Sequence, residues 1–282
     1  MDALQTKIRK LKNPIAVRLD LRPELLPPSL WTPGGDLAAA YEVFGKAVLD
    51  ALDGVAPAAV FNTAYFDALG APGVAALQRL TDHAGGLGYY VIVETQRSDC
   101  EEAAALCAGA YYGPLYGADA LSVCAFAGSD GIRPYLSYCR EQGKSLFILA
   151  KTPNPSAREV QDLLSGDRVI HTVMLDLAVR WGGDLVGPAG YSQLGAVVGA
   201  AHPASLQALR QKYDRLFFLV PDAAAKEAQY AFDRLGHGAL VTAAAPILGA
   251  WREAGEDVDF AACARAAAEK LRDQLRTFVT VM

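Results

Sequence analysis

The stretch Val91–Cys100, VIVETQRSDC, closes a short apolar run with a crowd of ionisable and amide side chains. Glu94, Gln96, Arg97 and Asp99 fall within six residues. Two carboxylates can move protons or bear on a developing charge, and an amide and a guanidinium can hold a polar ligand. An ordinary salt-bridged strand end has the same composition, and spacing alone does not separate the two. Tyr90–Val93 are β-branched or aromatic and follow Gly85, Gly86 and Gly88, so Tyr90–Glu94 reads as a strand with the polar set at its carboxyl end. In alternating α/β proteins that end faces the ligand.

The rest of the chain supplies the elements that must hold this end in place. Apolar runs predict strands at Pro14–Asp20, Ala58–Phe61, Tyr90–Glu94, Ala118–Val123, Ser145–Ala150, Leu194–Val198, Leu216–Val220 and Ala239–Thr242. Between them, helical spacing predicts Asp36–Val55 with Asp36 as N-cap, Gly73–His83, Glu101–Ala110 and Arg133–Gln142. It continues with Ala157–Leu164, Val173–Leu185, a helix from near Pro203, Ala223–Leu235 and a last helix from Phe260 to Val279. Pro153 and Pro155 keep KTPNPS, after Lys151, out of helix. Strands this uniformly apolar are buried on both faces, as a parallel sheet requires. Eight strand–helix repeats fit a TIM (β/α)₈ barrel better than an open doubly wound sheet. With no Pro/Ser-rich linker, residues 1–282 are expected to form a single domain.

Composition excludes several function classes. The formal net charge of -5 is spread out, and no basic block argues for nucleic acid. MDALQTKIRKLKN is amphipathic and charged, without the apolar core of a signal peptide. No run of apolar residues is long enough to span a membrane. Five cysteines without a CxxC pair read as free thiols of a reducing, cytoplasmic compartment. The four scattered histidines give no metal-ligand spacing, so no metal is expected.

The order of motifs resembles the orotidine 5'-phosphate decarboxylase family in its longer bacterial form. The resemblance runs from Met1 to about Trp251 through KNPIAVRLDLRPELLP, AYFDALG, VIVETQRSD, ADALSV, GSDGIRP, KTPNPS, YSQLGAVVGA and FFLVP. It implies an α/β barrel, a homodimer with active sites at the subunit interface, and decarboxylation of a pyrimidine nucleotide without cofactor or metal. A carboxylate would press on the substrate carboxylate, and an adjacent lysine would stabilise the carbanion and deliver the proton.

Set beside that resemblance, the residues here depart at the chemistry. The family's Asp-x-Lys-x-x-Asp frame falls on Glu94, Gln96 and Asp99, so an amide stands where the proton-donating lysine would be. Glu94 is one methylene longer than aspartate. The second lysine position is Val60, whereas Asp20 and Asp99 match, Asp99 being the carboxylate implied to reach the neighbouring subunit. Pro153 takes the place of a pyrimidine-gripping serine. Pro221–Ala228 lacks the glycines of a phosphate loop, and Ala245 stands where a phosphate-binding arginine would. Arg18 replaces a glycine beside Asp20 and is expected to reach into the pocket mouth. Cys100 and Ala103 replace an apolar residue and a threonine.

The expected function is therefore a decarboxylase-like barrel without decarboxylase activity, used for interaction or regulation. Such a barrel would be a homodimer or a mixed dimer with an active subunit. Two alternatives stay open: residual orotidine 5'-phosphate decarboxylase activity in pyrimidine (UMP) biosynthesis, or catalysis on another small anionic substrate. For the second, Glu94, Gln96, Asp99 and Asp20 would combine with Arg18, Arg97, Lys151 and Lys226 as ligand-holding groups, although Lys151 also reads as an ion-pair partner and Lys226 as a solvated helix lysine. The inert reading assumes that no cation stands in place of the lysines. Lys151 or Arg18 poised over the position of Gln96 would overturn it.

Overall fold

Every long strand of the protein is apolar because both of its faces are covered. In a computed structural model describing residues 1–255 and 258–282, the chain opens with helix α1 (Asp2–Leu11), then β1 (Ile15–Arg18) and α2 (Leu37–Leu52). β2 (Ala58–Asn62) is followed by the single turn α3 (Ala64–Asp67) and α4 (Gly70–Gly86). Next come β3 (Tyr90–Glu94), α5 (Glu101–Tyr112), β4 (Ala120–Val123), α6 (Arg133–Gln142) and β5 (Ser145–Lys151). A short hairpin of β6 (Leu164–Ser165) and β7 (Arg168–Val169) leads to α7 (Ile170–Trp181), β8 (Leu194–Val198) and α8 (Pro203–Lys212). β9 (Phe218–Pro221), α9 (Ala225–Ala228) and β10 (Ala239–Ala243) precede α10 (Ala245–Leu248), α11 (Trp251–Ala254) and α12 (Phe260–Arg276).

The eight long strands close into one parallel barrel in the order β1-β10-β9-β8-β5-β4-β3-β2. Register fixes which side chains share a rung. Arg18 is level with Val60, and Val60 with Ile92. Two rungs nearer the carboxyl ends, Asn62, Glu94 and Ser122 are aligned. Laterally paired residues present the same face of a sheet, so these polar groups gather at one mouth. Below them the barrel is filled by apolar side chains. A Cβ at Gly195 would stand 2.5 Å from the Phe217 carbonyl oxygen and 2.9 Å from the Phe147 ring, so glycine is what lets the aromatic pair fill that level. Asp36 caps α2 by accepting the Ala39 N–H at 3.0 Å, as its sequence position predicts.

One expected helix is absent and another is cut short. Over Ala157–Leu164 the chain makes a 3₁₀ turn (Pro155–Glu159) and then enters the β6–β7 hairpin. Gly166, at φ +68°, makes the hairpin's tight reversal, a local signal that overrides a short apolar spacing. Over Ala223–Leu235 only α9 and a 3₁₀ turn to Ala231 form. Burial of Phe232 and the bond from the Tyr191 hydroxyl to Asp233 at 2.7 Å pull the chain out of the helix that its alanines favour. Remaining boundaries shift by a few residues; the helix expected over Val173–Leu185 runs Ile170–Trp181, and that expected to end at Val279 ends at Arg276.

Replacing Gly195 with valine is expected to overpack the barrel and cost about 1–3 kcal/mol, read as a lower denaturant midpoint. An unchanged midpoint would show that the Phe147 ring and the Phe217 backbone yield freely.

Candidate active site

Arg18 is the last residue of β1, and its side chain turns across the mouth of the barrel. Nη2 lies 2.8 Å from Glu94 Oε2 at the end of β3, and Nε lies 2.9 Å from Asp20 Oδ1. Nη1 faces Asp222 Oδ2 at 3.7 Å, just past β9. One guanidinium thus sits among three carboxylates drawn from both sides of the barrel. The Arg18 and Glu94 side chains are only 13% and 6% exposed, so this pair is held away from water. Removing either partner of such a buried pair leaves an uncompensated charge.

The titration of these groups follows from burial and from the excess of acid. Burial works against Arg18's charge, but the attraction of Glu94, Asp20 and Asp222 prevails and holds it above its ordinary value. Burial pushes Glu94 up from 4.5 to about 7; Arg18 opposes the rise, and Asp20 and Asp222 add to it. Asp20 is likewise raised, by burial first, with Arg18 opposing. The folded chain therefore keeps a proton on Glu94 that the unfolded chain gives up between about pH 4.5 and 7. This carboxyl favours folding most at the acid end, and the contribution is lost as pH rises through 7.

Gln96 does not join the cluster. Its backbone has φ +54°, a left-handed conformation uncommon for a residue with a side chain, and its Nε2 donates to Ser122 Oγ at 3.3 Å. The N–H groups of Thr95 and Gln96 both donate to the Ser122 carbonyl at 3.1 Å, so the chain beyond β3 hooks over β4. Val60 is wholly buried on the Arg18 rung. Arg97 is exposed and pairs with Asp67 at 3.0 Å. Asp99, Cys100 and Ala103 stand beyond the mouth, Cys100 exposed and the other two lining a groove of about 980 Å³. Lys151 donates to Asp162, and Lys226 is exposed on α9, so neither contacts Arg18's acids. Among the described residues no cluster of three or more His, Cys, Asp or Glu is arranged to hold a metal ion.

Sequence reasoning missed Asp222 and Asp162. Asp222 has φ +44°, which turns its carboxylate toward Arg18; aspartate tolerates that region better than most residues, the one signal in its favour. Asp162 lay in a segment read as helix.

A closed parallel (β/α)₈ barrel with ionisable groups gathered at the carboxyl ends of its strands defines a TIM-barrel protein. The chain belongs to the orotidine 5'-phosphate decarboxylase family. It is 30% identical over 294 residues to the orotidine 5'-phosphate decarboxylase of Rhodopirellula baltica, covering 97% of each chain. It is 27% identical over 280 residues to that of Clostridium perfringens, covering 98% of this chain and 97% of the relative. Among solved structures, a putative orotidine 5'-phosphate decarboxylase from Streptomyces avermitilis superposes with TM-score 0.81 at 26% identity, over 99% of this chain and 95% of that one. The OMP decarboxylase of Leishmania donovani gives 0.78 at 26% identity, over 98% and 97%. No family model matches the chain.

A ¹³C-labelled Glu94 carboxyl is expected to titrate near 7, and Arg18→Gln to move it higher still, because the guanidinium opposes the rise. A midpoint at or below 4.5 in the unaltered protein would show that the ion pair, not burial, governs the site.

Proposed function

We propose that this member of the family does not decarboxylate orotidine 5'-phosphate and serves instead as an interaction or regulatory subunit. The observation that carries the reading is the placement of Arg18 against Glu94, Asp20 and Asp222. This placement corrects one expectation: a cation does stand beside the acids. Inertness therefore rests on the proton rather than on the charge. A guanidinium cannot be deprotonated in a protein, and here its acidic neighbours hold its protons tighter still. Such a group can steady a developing anion but cannot protonate it. Gln96, where the family resemblance places the donating lysine, is turned to Ser122. Ala245 offers no cationic grip for a nucleotide phosphate, and the one cation of the Ala225–Ala228 turn, Lys226, is exposed.

Glu94 favours a second reading. A carboxyl brought to about 7 is a serviceable general acid near neutrality, suited to a barrel enzyme acting on another small anion or to residual decarboxylation. Arg18 disfavours it by filling the space in front of that carboxyl.

The groove beside α5 supports a dimer as the working form. Phe126, Leu106 and Leu115 are 84%, 75% and 53% exposed along it, three large apolar side chains gathered in one groove. Asp99 at its rim would enter a neighbour's mouth, either that of a second copy or that of an active decarboxylase subunit.

Release of CO₂ from orotidine 5'-phosphate is expected to be undetectable, and Val60→Lys with Gln96→Lys is expected not to restore it. Turnover within about a hundredfold of ordinary family rates, a loss that one missing donor would explain, ends this reading. Phe126→Asp is expected to shift the protein from dimer to monomer in sedimentation velocity. A dimer indifferent to that change would place the interface elsewhere.

A further inference from the structure

A second polar cavity, of about 290 Å³, opens between the ends of β5 and β8 and the start of α8. None of Arg18, Asp20, Glu94 or Asp222 lines it. Lys151, His171, His202 and Ser205 converge on it, with Asp162 as the one carboxylate. The Lys151 and His171 side chains are 16% and 15% exposed, and both meet Asp162, His171 through Nδ1 at 3.2 Å. The same Nδ1 stands 2.9 Å from the Gln161 carbonyl oxygen, which can only accept, so Nδ1 carries the hydrogen and Nε2 is left for another partner.

The surrounding chain is braced. Gln161 accepts the Thr152 N–H at 2.8 Å and donates to the Thr152 hydroxyl at 2.7 Å. The His171 N–H donates to the Gln161 carbonyl at 3.0 Å, which closes the loop over the end of β5. Across the cavity, α8 begins at His202 with no side-chain cap and with Pro203 in its first turn. Its first amide groups lack intrahelical acceptors and carry the positive end of the helix dipole.

We propose that this cavity is a separate binding site for a small oxyanion, a phosphate or carboxylate group. Asp162 already has partners in Lys151 and His171, and Lys151 has three donors, so hydrogens remain to offer a ligand. Lys151, the Ser205 hydroxyl and the uncapped helix start can all donate to an anion, and Asp162 is the one carboxylate opposed. The volume lies at the bottom of the range for small-molecule sites, roughly 300–1,000 Å³, and suits a ligand of few atoms.

Calorimetric titration of the full chain with inorganic phosphate and, separately, with acetate tests the assignment. Saturable one-site binding of at least one is expected, and the tighter of the two assigns the group. Of the four histidines, His171 and His202 are expected to shift in ¹H–¹³C spectra on binding, and His83 and His237 to stay put. Lys151→Ala should weaken binding about tenfold or more, through loss of a charged donor. Ser205→Asp places a carboxylate in the first turn of α8, where it favours the helix, and should abolish binding without unfolding the protein. The absence of saturable binding to either anion, or binding unchanged in Ser205→Asp, overturns the proposal. Neither substitution touches the Arg18 cluster, so the result is independent of the CO₂ assay.

Discussion

The barrel mouth depends on one problem of charge: how to keep three acids near one another where water is scarce. Arg18 is the answer the chain has adopted. Its planar fork reaches Glu94 and Asp20 through different nitrogens, a geometry that the point charge of an ammonium cannot match. Burial raises the carboxyls of Glu94 and Asp20, and the acids that still outnumber Arg18 add to the rise. The left-handed turn at Asp222 brings in the outermost acid, so the loop beyond β9 is bound to the same centre.

The barrel and the mouth make separable demands. Closure of the sheet, the packing of Phe147 against Phe217 and the glycine at 195 depend on shape and apolar area. None of that requires a particular ionisable group at the strand ends. The barrel's form therefore does not dictate which residues occupy its mouth. Function has to be read from the site rather than from the architecture.

The fold was largely legible because buried parallel strands write long apolar runs, and all eight barrel strands were found by that signal. The failures came where one tertiary contact outweighed local preference. The alanines after β9 favour helix, but burial of Phe232 and the Asp233–Tyr191 bond end it. The Gly166 hairpin begins at Leu164, the last residue of a segment whose apolar spacing imitated a helical turn. At the site, Arg18's reach into the mouth follows from its place two residues before Asp20. The participation of Asp222 and the pairing of Lys151 with Asp162 do not: Asp222 is remote in sequence from Arg18, and Asp162 faces Lys151 only because the segment between them is not the expected helix.

The shared rung of Arg18 and Val60 acts as a ratchet. An ammonium introduced at position 60 would lie beneath an existing guanidinium, and the two like charges would compete for the same acids. Deleting Arg18 first would strand those acids with no counter-ion. Each single step is blocked by the other, so an ammonium could enter this rung only by coordinated replacement.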